Sequence, residues 1–288
     1  MIIDSHAHYA HKLYTGEFSY LGTEDGGYCL RRGDRREMLE TMESSGITLC
    51  IEPSTDLESI EDQLSLAAEY PHSIRLAMGL HPKKCGQTPW EDREKLGRYV
   101  LKNDIVAIGE TGLDYHLPPQ ELDKPCQMQW FQYQIGLAHE RQLPLILHIR
   151  EADQDALAIL RQNRQLLHGG VAHCFGADYE TAMAYIELGF AIGIGGRLLH
   201  DDPMGQVLSD TVKRVPLTSI LVETDAPYIL PDIRELACSG KQRKKVRNSS
   251  LILPAVIQRI AQLRREPAEA VEQAIYQNPL RVFRLDQA

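Results

Sequence analysis

Short apolar, β-branched segments alternate with amphipathic stretches along nearly the whole chain, and this alternation restricts the fold more than any other feature. Eight strand candidates stand at residues 2–3, 48–51, 74–78, 105–108, 145–149, 170–172, 190–194 and 220–222. Between them lie helix-like segments at 36–45, 57–69, 91–101, 127–141, 152–162, 179–188 and 204–214. Strict strand–helix order implies a parallel sheet flanked by helices, and eight strands set roughly thirty residues apart suffice to close it. The sequence therefore predicts an α/β fold, a (β/α)8 TIM barrel, with helices at 249–263 and 267–276 completing its outer layer. No Ser/Gly linker, internal repeat or low-complexity run divides the chain, so residues 1–288 read as a single domain.

Barrel enzymes carry their chemistry on the C-terminal ends of the strands. Here the first strand runs into Asp4-Ser-His6-Ala-His8, and an extended i, i+2 pair puts both imidazoles on one face. The fourth leads into Gly109-Glu110-Thr-Gly-Leu-Asp114-Tyr115, the fifth into His148-Ile-Arg150, the sixth into His173-Cys174-Phe175 and the eighth into Glu223-Thr-Asp225-Ala-Pro227-Tyr228. A single histidine after a strand is more often a hydrogen-bonding residue than a ligand, and Glu223 alone reads as a partner for a backbone amide. Five such strand ends are harder to assign to chance. Together His6, His8, His148, His173, Glu110 and Asp225 offer four imidazoles and two carboxylates, enough for two divalent ions if one carboxylate bridges, or for a single ion. Imidazole-rich ligation suits Zn, Mn, Ni or Co, whereas Mg prefers more oxygen. Paired ions about 3.5 to 4 Å apart activate water and clamp both oxygens of an in-line displacement, so the chemistry expected is hydrolysis. His81, in Gly79-Leu80-His81-Pro82 after the third strand, is placed either to donate to a phosphoryl oxygen or to hold its loop.

Composition excludes other classes. With 43% apolar and 25% charged residues the chain is neither disordered, collagenous nor coiled coil. No apolar run approaches the roughly 18 residues of a membrane span, and the opening Met-Ile-Ile lacks a basic flank, so a cytoplasmic chain starting at Met1 is expected. Six scattered cysteines form no C-x-x-C pair and imply reduced thiols rather than a zinc knuckle. A net charge of −9 argues against a surface devoted to nucleic acid. It leaves room for a local basic patch, which Lys241, Arg243, Lys244, Lys245 and Arg247 supply.

These six ordered motifs resemble the TatD family of metal-dependent deoxyribonucleases, from residue 1 into the last helices. The resemblance implies an amidohydrolase-like barrel that cleaves DNA phosphodiesters; single-stranded or frayed DNA is the expected partner on other grounds, the aromatics of the first βα segment and the basic run from Lys241 to Arg247. The resemblance also implies His6, His8 and Asp225 on one ion, His148 and His173 on the other, and Glu110 as bridge. Metal-activated water would attack phosphorus while Asp225 receives its proton, and His81, Arg150 and Arg247 would contact phosphate. Two departures stand out. Lys83 and Lys84 follow the Gly-Leu-His-Pro motif where the family has His and an acid, and Arg247-Asn248-Ser249-Ser250 replaces Arg-Asn-Glu-Pro. In addition, residues 9–35 make an unusually long first βα segment containing Tyr14, Phe18 and Tyr20, expected either to form a base-stacking rim or to pack as a small satellite core.

Two rival functions compete with this one. A related amidohydrolase acting on a C–N or ester bond would use the same ions against a carbonyl, but a carboxylated lysine often bridges such sites, and here Glu110 ends the fourth strand while Lys102 sits only at its beginning. A noncatalytic metal- or nucleic-acid-binding protein would have no use for open coordination positions.

Overall fold

The structure of the chain, a computed structural model, describes residues 1–24, 27–233, 236 and 239–285. In chain order its strands are β1 (Ile2–Asp4), β2 (Phe18–Glu24), β3 (Gly27–Gly33), β4 (Ile47–Pro53), β5 (Ile74–Met78), β6 (Ala107–Asp114), β7 (Leu145–Arg150), β8 (Gly170–Ala172), β9 (Phe190–Ile194), β10 (Ile220–Val222) and β11 (Val246–Arg247). The helices are α1 (Arg35–Ser44), α2 (Ser59–Glu69), α3 (Pro82–Cys85), α4 (Arg93–Lys102), α5 (Lys124–Arg141), α6 (Asp153–Gln162), α7 (Tyr179–Glu187), α8 (Pro203–Arg214), α9 (Gly240–Arg243), α10 (Leu253–Arg264) and α11 (Ala268–Phe283). Among the described residues, β1 and β4 to β10 form one eight-stranded sheet in sequence order, each neighbouring pair parallel. This is the (β/α)8 barrel that the alternation predicts. Its strands read as apolar runs because both faces are covered: β6, β9 and β10 are buried throughout. Ile51, Ala77, Ala107, Ile146, Val171, Ala191 and Leu221, one from each of β4 to β10, make a cluster that Phe283 of α11 joins.

The two end strands meet at their C-terminal ends. Ser5 N donates to Val222 O at 3.0 Å, Asp225 N to His6 O at 2.9 Å and His8 N to Ala226 O at 2.7 Å. Buried Asp4 reinforces this seam: its carboxylate accepts from Thr224 Oγ1 at 2.6 Å, Thr224 N at 3.1 Å, His6 N at 3.1 Å and Ser250 Oγ at 2.6 Å. Burial pushes its pKa up to about 6 even with these donors opposing the shift.

Three elements differ from expectation. β6 runs on to Asp114 through a glycine-rich, polar stretch that resembles a loop, so Glu110 lies inside the strand. The helix expected from residue 249 begins at Leu253, because the Ser249 hydroxyl is committed to Leu21 O and the next residues form a short 3-10 turn, Ser250–Ile252. α11 continues past Pro279, where a proline suggests a stop, and so brings Phe283 into the interior cluster.

The long first βα segment is an antiparallel hairpin, β2 with β3, and β11 pairs with β2 to complete a three-stranded sheet. Its aromatics are not a stacking rim. Tyr14, Phe18 and Tyr20 are only 1%, 8% and 3% exposed, and their rings follow one another edge to face at 5.1 and 5.9 Å. Tyr14 ends the 3-10 turn Lys12–Tyr14, and Phe18 and Tyr20 occupy alternate positions of β2 that face inward, so hydrophobic burial takes the surface that bases would need. Lys241, Lys244 and Lys245 remain exposed. Five described cysteines are free thiols, and Cys238 lies outside the described residues. No helix among the described residues is long and apolar enough to cross a membrane.

Replacing Tyr20 by Ala is expected to cost about 3 kcal/mol of stability, read by urea unfolding, with unchanged affinity for a single-stranded oligonucleotide. Weakened binding at unchanged stability would restore the rim.

Candidate metal centre

All six residues singled out as metal-binding candidates converge at the barrel mouth. Beyond β1 the chain bends at Ser5 and His6 and bridges at Ala7, and it brings the Nε2 atoms of His6 and His8 to 3.2 Å from each other. His8 Nδ1 lies 3.2 Å from Pro53 O, a contact that leaves Nε2 with its lone pair when Nδ1 donates. Asp225 Oδ1 completes this side, 3.7 Å from His6 Nε2 and 3.4 Å from His8 Nε2. On the other side His148 Nδ1 and His173 Nε2 are 3.1 Å apart. Glu110 lies between the two groups and divides its oxygens: Oε2 is 3.7 and 3.6 Å from His6 and His8, while Oε1 is 3.0 and 2.7 Å from His148 and His173.

This arrangement passes a chemical test for a cation. Ring nitrogens face ring nitrogens on both sides, in a pocket where burial penalises imidazolium. Burial, reinforced by neighbouring His173, holds His6 well below the usual histidine range. Burial would raise Glu110, yet His173, His81 and the bond from His148 outweigh it and keep the carboxylate well below its ordinary value. For His8 burial opposes protonation, but Asp225 and Glu110 carry its pKa up to about 9; for His148 the opposing groups are Asp114 and Glu110, with the same result. The carboxylates of Glu110, Asp225 and Asp114 thus draw positive charge into a nitrogen-lined space, and the N and O donor set fits a divalent transition ion.

His81 holds its loop and turns its other ring nitrogen toward the cluster. Its Nδ1 accepts from Lys83 N at 2.9 Å and caps α3, while Nε2 reaches 3.2 Å from His148 Nδ1 and 3.7 Å from Glu110 Oε1. Arg150 ends β7 exposed at the mouth, and half-buried Arg247 donates from Nε to Leu13 O at 3.5 Å. Neither touches the cluster directly. Lys102, placed at a strand start by the sequence reading, lies exposed at the end of α4.

The motif reading assigned no role to three further groups. Asp114 Oδ2 lies 3.1 Å from His148 Nε2, where it orients the ring; its i+4 spacing from Glu110 in one strand was the available signal. Glu52 accepts from Tyr9 N at 2.6 Å and Ala10 N at 3.1 Å, holding the chain just beyond His8. Tyr228, 45% exposed, has its ring 6.5 Å from that of His8 and its hydroxyl 3.3 Å from His11 Nε2. The departures also have visible tasks: Lys84 pairs with Asp56 at 3.0 Å, and Ser250 bonds to Asp4. Asp225 and Cys174 sit in the left-handed backbone region, with φ of 51° and 46°, a conformation that costs on the order of 1 to 3 kcal/mol and recurs at functional sites.

Residues 3–284 match the model of the TatD related DNase family. The chain is 34% identical over 254 residues to the 3'-5' ssDNA/RNA exonuclease TatD of Erwinia billingiae, covering 88% of this chain and 94% of that protein. It is 32% identical over 253 residues to the uncharacterized metal-dependent hydrolase YcfH of Escherichia coli K12, covering 88% and 89%. The crystal structure of YJJV, a TatD homolog from Escherichia coli K12, matches with a TM-score of 0.81 at 26% identity over 98% of both chains.

Ligation through His8 and His148 would cost each ring its extra proton, so on this assignment loading chelator-treated protein at pH 7 is expected to release about two protons per chain. Affinity for zinc should then rise as pH climbs from 7 toward about 9, the pKa of both rings. Calorimetry in buffers of different ionisation enthalpy measures this, and a buffer-independent heat would contradict it.

Proposed function

The chain belongs to the TatD related DNase family, and on that premise we propose that it is a two-metal nuclease acting on single-stranded or frayed DNA ends. It is a metal-dependent hydrolase, and phosphodiester cleavage is the reaction its exonuclease relatives support. The observation that carries the two-ion reading is the division of Glu110, one oxygen toward His6 and His8 and the other toward His148 and His173. In this assignment His6, His8 and Asp225 hold one ion, His148 and His173 the second, and Glu110 bridges.

Bound divalent ions supply an acidified water and a clamp on the attacking and leaving oxygens. The chain's own residues do the rest. Asp225 is the proton acceptor, because its side chain is 17% exposed whereas that of Glu110 is 3% exposed and enclosed by imidazoles. Glu110 contributes as fixed negative charge between the two sides. His81 stays neutral, since burial and adjacent His148 hold its pKa down to about 3. With Nδ1 accepting from Lys83 N, its Nε2 carries the hydrogen and donates to a phosphoryl oxygen. Arg150 and Arg247 flank the approach, exposed Lys241, Lys244 and Lys245 track the backbone, and Tyr228 takes the stacking role that the buried hairpin aromatics do not fill. Amide hydrolysis is the weaker reading, because Glu110 occupies the bridging position and Lys102 is remote on α4.

Chelation should abolish hydrolysis of a single-stranded oligonucleotide, and added divalent ions should restore it. Asp225→Asn should then lower kcat by roughly 10²- to 10⁴-fold while metal remains bound. Near-normal turnover in that variant would move the base elsewhere, and full activity in metal-free protein would end the metal reading.

Neutralising Lys244 and Lys245 together should weaken oligonucleotide binding and flatten its log–log salt dependence by about 0.7 per charge removed. An unchanged slope would return both lysines to the solvated surface.

A further inference from the structure

The two histidines on the second side of the centre are held differently. His148 presents Nδ1 inward while its Nε2 lies 3.1 Å from Asp114 Oδ2, so its orientation has a visible cause. His173 presents Nε2, 2.7 Å from Glu110 Oε1. An imidazole that gives one lone pair to an ion carries its hydrogen on the other nitrogen, and a buried N–H needs an acceptor. His173 Nδ1 is buried and makes no hydrogen bond among the described residues.

The carboxylate facing it belongs to Glu223. Its Oε1 lies 3.8 Å from His173 Nδ1 and accepts the backbone N–H of Cys174, as its place at a strand end suggests. Its Oε2 is also buried without a partner. The side chain is 1% exposed, and among the described residues its one ion-pair contact is His173. Room for it is built into the barrel: a Cβ on Gly193 of β9 would stand 2.1 Å from Oε2, and one on Gly195 would stand 2.8 Å from Glu223 O. A carboxylate so enclosed, beside an imidazole N–H that lacks an acceptor, is an unmade hydrogen bond less than about 1 Å from normal length.

We propose that Glu223 is a positioning residue that accepts the Nδ1–H of His173 and thereby fixes the ring and tautomer that present Nε2 to an ion. The proposal rests on the two-ion reading above. Asp114 does the same for His148 from the opposite strand, so each histidine on this side has its own carboxylate behind it. Backbone donation from Cys174 holds Glu223 in place for the task.

The test uses full-length protein with 15N-labelled histidine, titrated with zinc and read by calorimetry and by long-range 1H–15N spectra, with resonances assigned through His148→Ala and His173→Ala. Wild type should bind two ions and show a slowly exchanging His173 Nδ1–H. Glu223→Ala should weaken the ion lost in His148→Ala by roughly 10- to 100-fold and abolish that resonance, whereas Glu223→Gln, which keeps an acceptor oxygen, should retain the resonance and stay within about tenfold. Retention of the Nδ1–H signal and of affinity within about twofold in Glu223→Ala overturns the proposal. So does an equal loss in both variants with the resonance intact, which would make charge the cause. If Glu223→Ala does not fold, the resonance in Glu223→Gln decides alone: its presence supports the assignment and its absence overturns it. A wild type that binds one ion refutes the two-ion reading separately, and the Nδ1–H comparison still decides the role of Glu223.

Discussion

Closure of the barrel between β1 and β10 is the constraint on which the rest depends. His6 and His8 extend from one edge of an otherwise open sheet and Asp225 from the other, so they share a site only if those edges meet. The backbone bonds at this seam are few, and Asp4 supplements them by gathering donors from both sides and from Ser250. Residues that look like flanks of a metal motif are therefore its foundation. Asp4 touches no candidate metal-binding side chain, yet its bonds to His6 N and to Thr224 set the spacing of the segments that carry His6 and Asp225.

The electrostatics follow from where that closure puts the groups. Lysine and arginine stay outside the cluster, so the balancing positive charge has to come from imidazolium or from a cation. The rings respond unequally: His8 and His148, each beside a second carboxylate, draw protons, while His6 and His81 are kept neutral by burial. The candidate cluster thus combines rings that hold an extra proton with rings kept neutral.

Much of this was legible in the sequence because the strand positions obey a period of two and the strand ends carry the chemistry. The i, i+2 spacing of His6 and His8 was enough to place them together, and the apolar runs located β8, β9 and β10 to the residue. Glu110 was found as a residue but misplaced as to element, since Gly109 and Gly112 disguise a strand as a loop. The hairpin aromatics were ambiguous for a different reason: side-chain type is the same for a stacking platform and a core, and only the pairing of β2 between β3 and β11 decides which face is covered. Orientation of the His148 ring by Asp114 depends on the pairing of β6 with β7, for which the i+4 spacing from Glu110 is the one local signal, and the approach of Glu223 to His173 depends on distances across the barrel that no local pattern encodes.

The inserted hairpin and the altered Ser249-Ser250 pair are separated by more than two hundred residues, yet they form one mechanical unit. Ser249 bonds to Leu21 O in β2, Tyr14 bonds to Asn248 O, and Ser250 bonds both to Tyr9 and, through its hydroxyl, to Asp4. The hairpin is consequently not a detachable module. Excising it would strand Ser249, uncover the edge of β11 and loosen a support of Asp4, so a graft of the hairpin or of the serine pair onto another barrel would have to carry both.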